Sequence, residues 1–339
     1  MKDTDISPLI REKAPLILAE IEKAHNILLH CHTSPDPDSV GSALAMKFAL
    51  ASLGKKATVI RGDSEIPEAF MHFPGAKDIV PKNFGEVDLT EFDLFIIQDS
   101  TLDRVTKAAS CVFPEHLALV NIDHHSSNAG GTKIDLLVPS YPATAQILFD
   151  LFKLWKIPLT RDIAANLFIG IYTDTGGFKY SGTTSHSFAV AGELIELVPD
   201  FPQLISDMEN SSTLESLAFE ALALSSIETF FGGKVGLSII SSEALKDRAI
   251  PPLGISGSAI SAKLRTVAEW KVSGSLIEDE PGHVKLSFRS KDGDAFDVSR
   301  LAVALGGGGH KAAAGATLDM PLDEAKRQVV AKAKELYNL

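Results

Sequence analysis

Leu117-Ala118-Leu119-Val120-Asn121-Ile122-Asp123-His124-His125 is an apolar run that ends in a carboxylate and two adjacent imidazoles. The six apolar-rich residues read as a buried strand, and open α/β sheets place their chemistry beyond strand C-termini. Asp123, His124 and His125 therefore stand where a sheet would present them. Two neighbouring imidazoles beside a carboxylate can bind a transition metal and leave one histidine free for substrate. Alone, such a tripeptide also caps turns. Three other acidic segments of this chain give it more weight.

Outward from that strand, the first half alternates strand-like and helix-like segments. Residues 24–32 read as a strand around Ile27-Leu28-Leu29, and 39–53 as a helix with Gly54 as its C-cap. Residues 57–60 and 93–97 are further strands, with 117–122 the fourth. Helices are expected over 143–154 and 163–172, the second leading into Asp174. This order predicts the α/β class: an N-terminal doubly wound, mostly parallel sheet. Past Leu197, the stretch Pro199-Asp200-Phe201-Pro202 breaks the pattern, and 203–227 reads as a largely helical connector. Strands at 234–240, 268–277 and 283–289, with helices around 257–266 and 323–336, predict a smaller C-terminal α+β domain. The expected divisions are 1–197, 198–228 and 229–339.

The chain has 339 residues, enough for two cores, and its 45% hydrophobic and 22% charged content is that of a soluble globular protein. No apolar run approaches the roughly 20 residues that span a bilayer. Met1-Lys2-Asp3-Thr4-Asp5 opens no signal-peptide pattern. Cys31 and Cys111 are too few for a disulfide framework, so both are expected as core residues in a reducing cytoplasm. The net charge of −12 argues against a sequence-independent grip on long nucleic acid, which needs a basic stripe. Short nucleotides bound through metal remain compatible with it.

The first strand ends in His32-Thr33-Ser34-Pro35-Asp36-Pro37-Asp38, one imidazole and two carboxylates within seven residues. The prolines are expected to stiffen this turn and block early helix formation. Gly41-Ser42 then opens the helix, whose amides can take an anion. Read singly, Asp36 or Asp38 is a helix cap. The third strand ends Gln98-Asp99-Ser100, and Tyr172-Thr173-Asp174-Thr175-Gly176-Gly177 follows a helix. Carboxylates mixed with imidazole suit Mn²⁺ or Mg²⁺ better than a cysteine-rich structural zinc site. A pair of ions needs one bridging carboxylate, for which Asp99 is the natural choice, and the set points to hydrolysis of a phosphate ester or anhydride.

These segments, in this order, resemble the motifs of the DHH phosphoesterase superfamily. Gly306-Gly307-Gly308-Gly309-His310-Lys311 with Ala314-Gly315 resembles its C-terminal DHH-associated domain, and the length is similar to the nanoRNase and pAp-phosphatase branch. The resemblance implies one metal on His32, Asp36 and Asp99, and a second on Asp38, Asp99, His124 and Asp174. It implies that His125 acts at the scissile phosphate and that Asp123 orients the histidines.

The glycine run reads as a backbone nest for an anion, or as a flexible loop, with His310 and Lys311 at its rim. Arg289 and Ser290 can hold a terminal phosphate or stack on a base, Arg289 being equally a surface ion-pair residue. By the resemblance, the second domain grips the far end of a short nucleotide. The expectation is a metal-dependent hydrolase, with Mn²⁺ (two ions) or Mg²⁺, converting short oligoribonucleotides to mononucleotides and removing the 3′-phosphate of pAp. Cyclic dinucleotide hydrolysis, pyrophosphatase chemistry and a non-enzymatic nucleotide sensor are the alternatives. A sensor would be expected to lack a ligand, and none is missing. No membrane partner is expected, and a homodimer through the outer helices of the first domain is left open.

Overall fold

A computed structural model describes residues 6–106, 112–180, 182–210, 213–251 and 255–339. They fold into two compact units, Met1–Ser211 and Ser212–Leu339.

The first unit begins with helix α1 (Pro8–Lys23), to which sequence reading assigns no element. Its Ile10, Ala14, Ile17 and Ile21 are buried at helical spacing, but Pro15 interrupts the pattern that would announce it. Strand β1 (Asn26–His30), helix α2 (Pro37–Ser52) and strand β2 (Lys56–Ile60) follow. Pro37 does not delay α2; it occupies its first turn, where a missing N–H costs nothing, and Asp36 caps the Ser39 amide at 2.9 Å. Gly54 takes the left-handed conformation (φ 72°) just past the helix end. Next come β3 (Leu94–Gln98), β4 (Ala118–Asp123), β5 (Ile134–Leu137) and helices α3 (Thr144–Leu154), α4 (Arg161–Asp174), α5 (Ser185–Leu197) and α6 (Phe201–Glu209).

The five strands pair in the order β2-β1-β3-β4-β5, all parallel. From β1 the chain turns to β2 on one side and later to β3 on the other. The tips of β1 and β3 thus flank a topological switch point, where such sheets bind ligands. The edge strands β2 and β5 are only partly buried. The inner strands β1, β3 and β4 are buried along most of their length, as in parallel sheets covered on both faces. Cys31 is buried there; Cys111 lies outside the described residues.

The stretch read as a connector divides between the units. Phe201, Leu204, Ile205 and Met208 of α6 pack against the first unit's core, whereas Phe219, Leu222 and Ala223 of α7 (Leu214–Ser225) belong to a core of the second. The second unit continues through β6 (Ile227–Phe230), β7 (Val235–Ile240), α8 (Ser242–Asp247), α9 (Gly257–Leu264), β8 (Val272–Glu280), β9 (His283–Ser290), α10 (Val298–Ala304), β10 (Gly308–His310), β11 (Ala313–Asp319) and α11 (Leu322–Tyr337). Its mixed sheet runs β10-β11-β9-β8-β7-β6. Among the described residues no helix is long and apolar enough to cross a membrane.

Candidate metal centre

Beyond β1, the His32 amide is held by Ser39 Oγ at 3.0 Å, and its ring Nδ1 lies 3.0 Å from the Thr33 carbonyl. That contact places a proton on Nδ1 and turns the Nε2 lone pair outward. Nε2 lies 3.4 Å from Asp99 Oδ2 and 3.5 Å from Asp36 Oδ2. His124, beyond β4, repeats the arrangement: Nδ1 faces the Tyr141 carbonyl at 3.3 Å, and Nε2 faces Asp99 Oδ1 at 3.4 Å and Asp174 Oδ2 at 3.3 Å. Asp99 therefore offers one oxygen to each histidine. It sits just past β3 with a left-handed backbone (φ 54°), while its amide still donates to Ile122 of β4.

Asp38 is fully buried in the first turn of α2. Its oxygens accept the N–H groups of Thr144 (2.7 Å) and Ala145 (2.9 Å), at the start of α3, and the Ser42 hydroxyl at 3.2 Å. The N-terminal end of α3 favours a negative charge there. The α2 amides foreseen as an anion site are instead partly used by Asp36. Gly41 has a packing role: a Cβ there would lie 2.5 Å from the Asn166 carbonyl oxygen of α4. At Gly170 a Cβ would lie 2.6 Å from Asp38 Oδ1. The two glycines let α4 approach α2 closely enough for Asp174 to share His124 with Asp38, whose Oδ2 is 4.0 Å from Nε2.

Among the described residues, three sets of candidate ligands have atoms within 4.8 Å of one another inside each set: His32, Asp36 and Asp99; Asp38, His124 and Asp174; and Asp99 with Asp123, His124 and His125. Asp99 Oδ2 and His124 Nε2 are buried without a hydrogen-bond partner among the described residues. Buried polar atoms of this kind are rare, and here they converge, so the residues present fit divalent cations.

The charges agree. Burial disfavours charged imidazoles, but Asp36 and Asp99 outweigh it at His32, which is pushed up to about 10. At His124, Asp174 and Asp99 do the same, to about 12. Asp99 is held well below the usual carboxylate range by His124 and His32 despite its burial. Asp38 is pushed up by burial and by the charges of Asp99 and Asp174. Protons on the histidines thus answer a surplus of negative charge that metal cations would answer instead.

His125 is arranged differently. Its Nδ1 lies 2.7 Å from Asp123 Oδ1, whose other oxygen accepts Asn128 Nδ2 at 2.7 Å. This contact raises the His125 pKa, and the ring is partly exposed. His30, two residues before His32, stays out of the site: packed on Phe84 and Phe95, it is pushed down to about 3 by burial.

Residues 26–171 match the DHH family, N-terminal domain, and 252–338 match the DHHA1 domain. Over 332 residues the chain is 31% identical to the bifunctional oligoribonuclease and PAP phosphatase NrnA of Thermus thermophilus, covering 97% of this chain and 95% of that protein. The chain belongs to the DHH family. A Bacillus subtilis protein of the same name is 25% identical over 92% of this chain and 95% of its own. A crystal structure of an exopolyphosphatase-related protein from Bacteroides fragilis shares the fold, with a TM-score of 0.87, 22% identity and 97% of each chain covered.

In this DHH-family protein the DHHA1 unit pairs Arg289 of β9 with Ala313 of β11, and Ala313 with His310 of β10. Arg289 and His310 thus share one rung of the sheet, two strand spacings or roughly 10 Å apart. Arg289 Nη1 donates to the Phe288 carbonyl at 3.0 Å and to Ser287 Oγ at 3.3 Å. Ser290, one residue on, is buried and accepts the Asp292 amide at 3.2 Å. Lys311 pairs with Asp294 at 2.8 Å. The glycine run is not a free loop. Gly308–His310 is a strand on β11, and a Cβ at Gly307 would lie 2.1 Å from the Gly315 carbonyl oxygen, so the run includes a site of close strand approach.

Sequence reading missed Thr144, Asn128 and Arg104. Thr144 acts through Asp38, 106 residues away along the chain, and Asn128 through Asp123, five residues before it. Arg104 lines a cavity of about 470 Å³ with His32, Asp36, Asp99 and His125. An arginine five residues past a strand-tip aspartate was the available signal.

Proposed function

We propose that the protein hydrolyses dinucleotides and short oligoribonucleotides to mononucleotides, acting from a chain end, and removes the 3′-phosphate of pAp. The observation that carries this is the position of Asp99 between His32 and His124, in a member of the DHH family. The substrates follow from what the Thermus thermophilus and Bacillus subtilis relatives are named for.

His32, Asp36 and Asp99 would hold one cation, and Asp38, Asp99, His124 and Asp174 the other. The mixture of carboxylate and imidazole suits Mn²⁺, with Mg²⁺ as the alternative. Bound divalent cations supply charge for the phosphoryl oxygens and lower the pKa of water. Each ligating histidine is fixed by a backbone carbonyl at Nδ1, so its Nε2 needs no reorientation. His125 has Nδ1 committed to Asp123, which leaves Nε2–H to donate to the scissile phosphate or give its proton to the leaving oxygen. In the DHHA1 unit, Arg289 and His310, with Ser290, Lys311 and the glycine run beside them, bind the rest of the nucleotide.

A reducing cytoplasm suits a chain with two cysteines, and a homodimer through outer helices of the first unit fits the same reading. The test is a panel of pGpG, pAp, cyclic di-AMP, a longer RNA and pyrophosphate, each with Mn²⁺ and with Mg²⁺. Cleavage of pGpG and pAp is expected to dominate. Turnover of cyclic di-AMP or pyrophosphate with neither of those two cleaved overturns the proposal.

A further inference from the structure

The cavity at the metal centre is lined by two kinds of group. Asp36, Asp99, His32 and His125 bring carboxylates and imidazoles, and Ser34, Ser100, Thr101 and Arg104 bring hydroxyls and a guanidinium. Arg104 is exposed and has no ion-pair or hydrogen-bond partner for its guanidinium among the described residues. Thr101 Oγ1 is buried and has no hydrogen-bond partner among the described residues. An unpartnered guanidinium and a residue with an unsatisfied hydroxyl beneath the surface thus belong to one polar cavity wall, a combination complementary to an anion.

The segment that carries them is anchored. Thr106 Oγ1 donates to Asp63 Oδ2 at 2.6 Å, Asn128 Nδ2 donates to the Ser100 carbonyl at 3.2 Å, and Val105 is fully buried. The Arg104 amide closes a tight turn on the Thr101 carbonyl at 3.0 Å. Asn128 also holds Asp123, so one side chain ties this wall to the residue that orients His125. Such bracing lowers the ordering cost of binding.

We propose that Arg104 and Thr101 form a subsite for a second, non-scissile phosphate of the substrate, which makes the enzyme selective for nucleotides carrying a phosphate beside the one being cleaved. The inference rests on the phosphoesterase reading above. The charge balance favours the second phosphate over the scissile one. By that reading, His125 and the cations that His32, His124 and the carboxylates would hold answer the scissile phosphoryl group. Arg104 is a further cation source in the lining of the same cavity of about 470 Å³, outside the candidate ligand sets. A guanidinium there matches the paired oxygens of a phosphate monoester.

The test compares 5′-phosphorylated diadenosine (pApA) with its unphosphorylated form (ApA), on the wild type, R104A, R104K and T101V. The wild type should prefer pApA. R104A should lose about tenfold or more kcat/KM on pApA relative to its loss on ApA, R104K should recover part of it, and T101V should lose less in the same direction. Equal losses on the two substrates, or none, overturn the subsite. If the wild type cleaves neither, the dinucleotide part of the phosphoesterase reading fails, and Arg104 is then judged by binding of the same pair with Ca²⁺ present. A pApA preference that R104A abolishes upholds the subsite, and the lack of any preference refutes it.

Discussion

Asp38 Oδ2 accepts the backbone N–H of Thr144 at 2.7 Å, a bond that spans 106 residues of chain. With the Ala145 amide on Oδ1, it seats a buried carboxylate on the first turn of α3. An amide in place of that carboxylate would turn its NH₂ group against one of these two N–H donors. Asp38→Asn should therefore cost roughly 1–3 kcal/mol in urea unfolding of the metal-free protein, besides weakening cation binding. An unchanged unfolding midpoint would show that these amides do not hold Asp38.

Among the described residues, Asp99 alone is common to the sets around His32 and His124. Asp99→Ala should lower turnover by about a thousandfold or more. It should also reduce the bound Mn²⁺ counted by equilibrium dialysis with elemental analysis. A variant that binds the wild-type number of ions with undiminished turnover would remove Asp99 from its bridging role.

His125→Ala should lose about 10²–10⁴ in kcat while still binding metal. The Asp123 contact raises the His125 pKa, so a general acid at this position is active below that pKa, and kcat falls as pH rises through it. Asp123→Asn should move this descending limb to lower pH. A pH–kcat profile with the limb unmoved would separate Asp123 from His125.

In the metal-free protein His32 and His124 titrate near 10 and 12, against an ordinary 6.5. Their folded pKa values lie above the unfolded one. The stability they contribute is thus complete below about 6.5 and is lost as pH rises through the folded values. Cations compete with these protons, so Mn²⁺ binding near neutral pH should release protons and strengthen as pH rises. Calorimetry in buffers of different ionisation enthalpy measures the release. Zero net release at neutral pH would contradict the raised values.

Gly170→Ala would place a methyl 2.6 Å from Asp38 Oδ1 and 2.8 Å from Ala145 Cβ. The expected cost is roughly 1–3 kcal/mol of stability, together with weaker metal binding as α4 moves Asp174 away. If thermal unfolding and metal affinity both match the wild type, the close approach of α2 and α4 is not what positions Asp174.

Much of the fold was legible because a parallel sheet writes itself locally. Leu94–Gln98 and Ala118–Asp123 are apolar runs with acidic ends, and no distant contact is needed to read them. Helix α1 was hidden by Pro15, and β10 by its glycines, which carry no side-chain pattern at all. The division of the connector was not legible either, since the apolar faces of α6 and α7 look alike in sequence and differ only in the core each one meets.

The sequence by itself determined the kinds of group at the site and their order: His32, Asp36, Asp38, Asp99, the Asp123-His124-His125 triplet and Asp174, mostly at the tips of recognisable elements. The tertiary structure decided which of their atoms are free. Backbone carbonyls at Nδ1 turn the Nε2 atoms of His32 and His124 toward Asp99, α3 holds Asp38, Asn128 and Asp123 hold His125, and a tight turn brings Arg104 to the cavity wall. Residue type and strand period are local properties of the chain. The Thr33 carbonyl that turns His32 is local too, and the Tyr141 carbonyl lies only 17 residues from His124. The seat of Asp38 on α3 and the approach of α4 to α2 join groups more than a hundred residues apart, which only packing brings together.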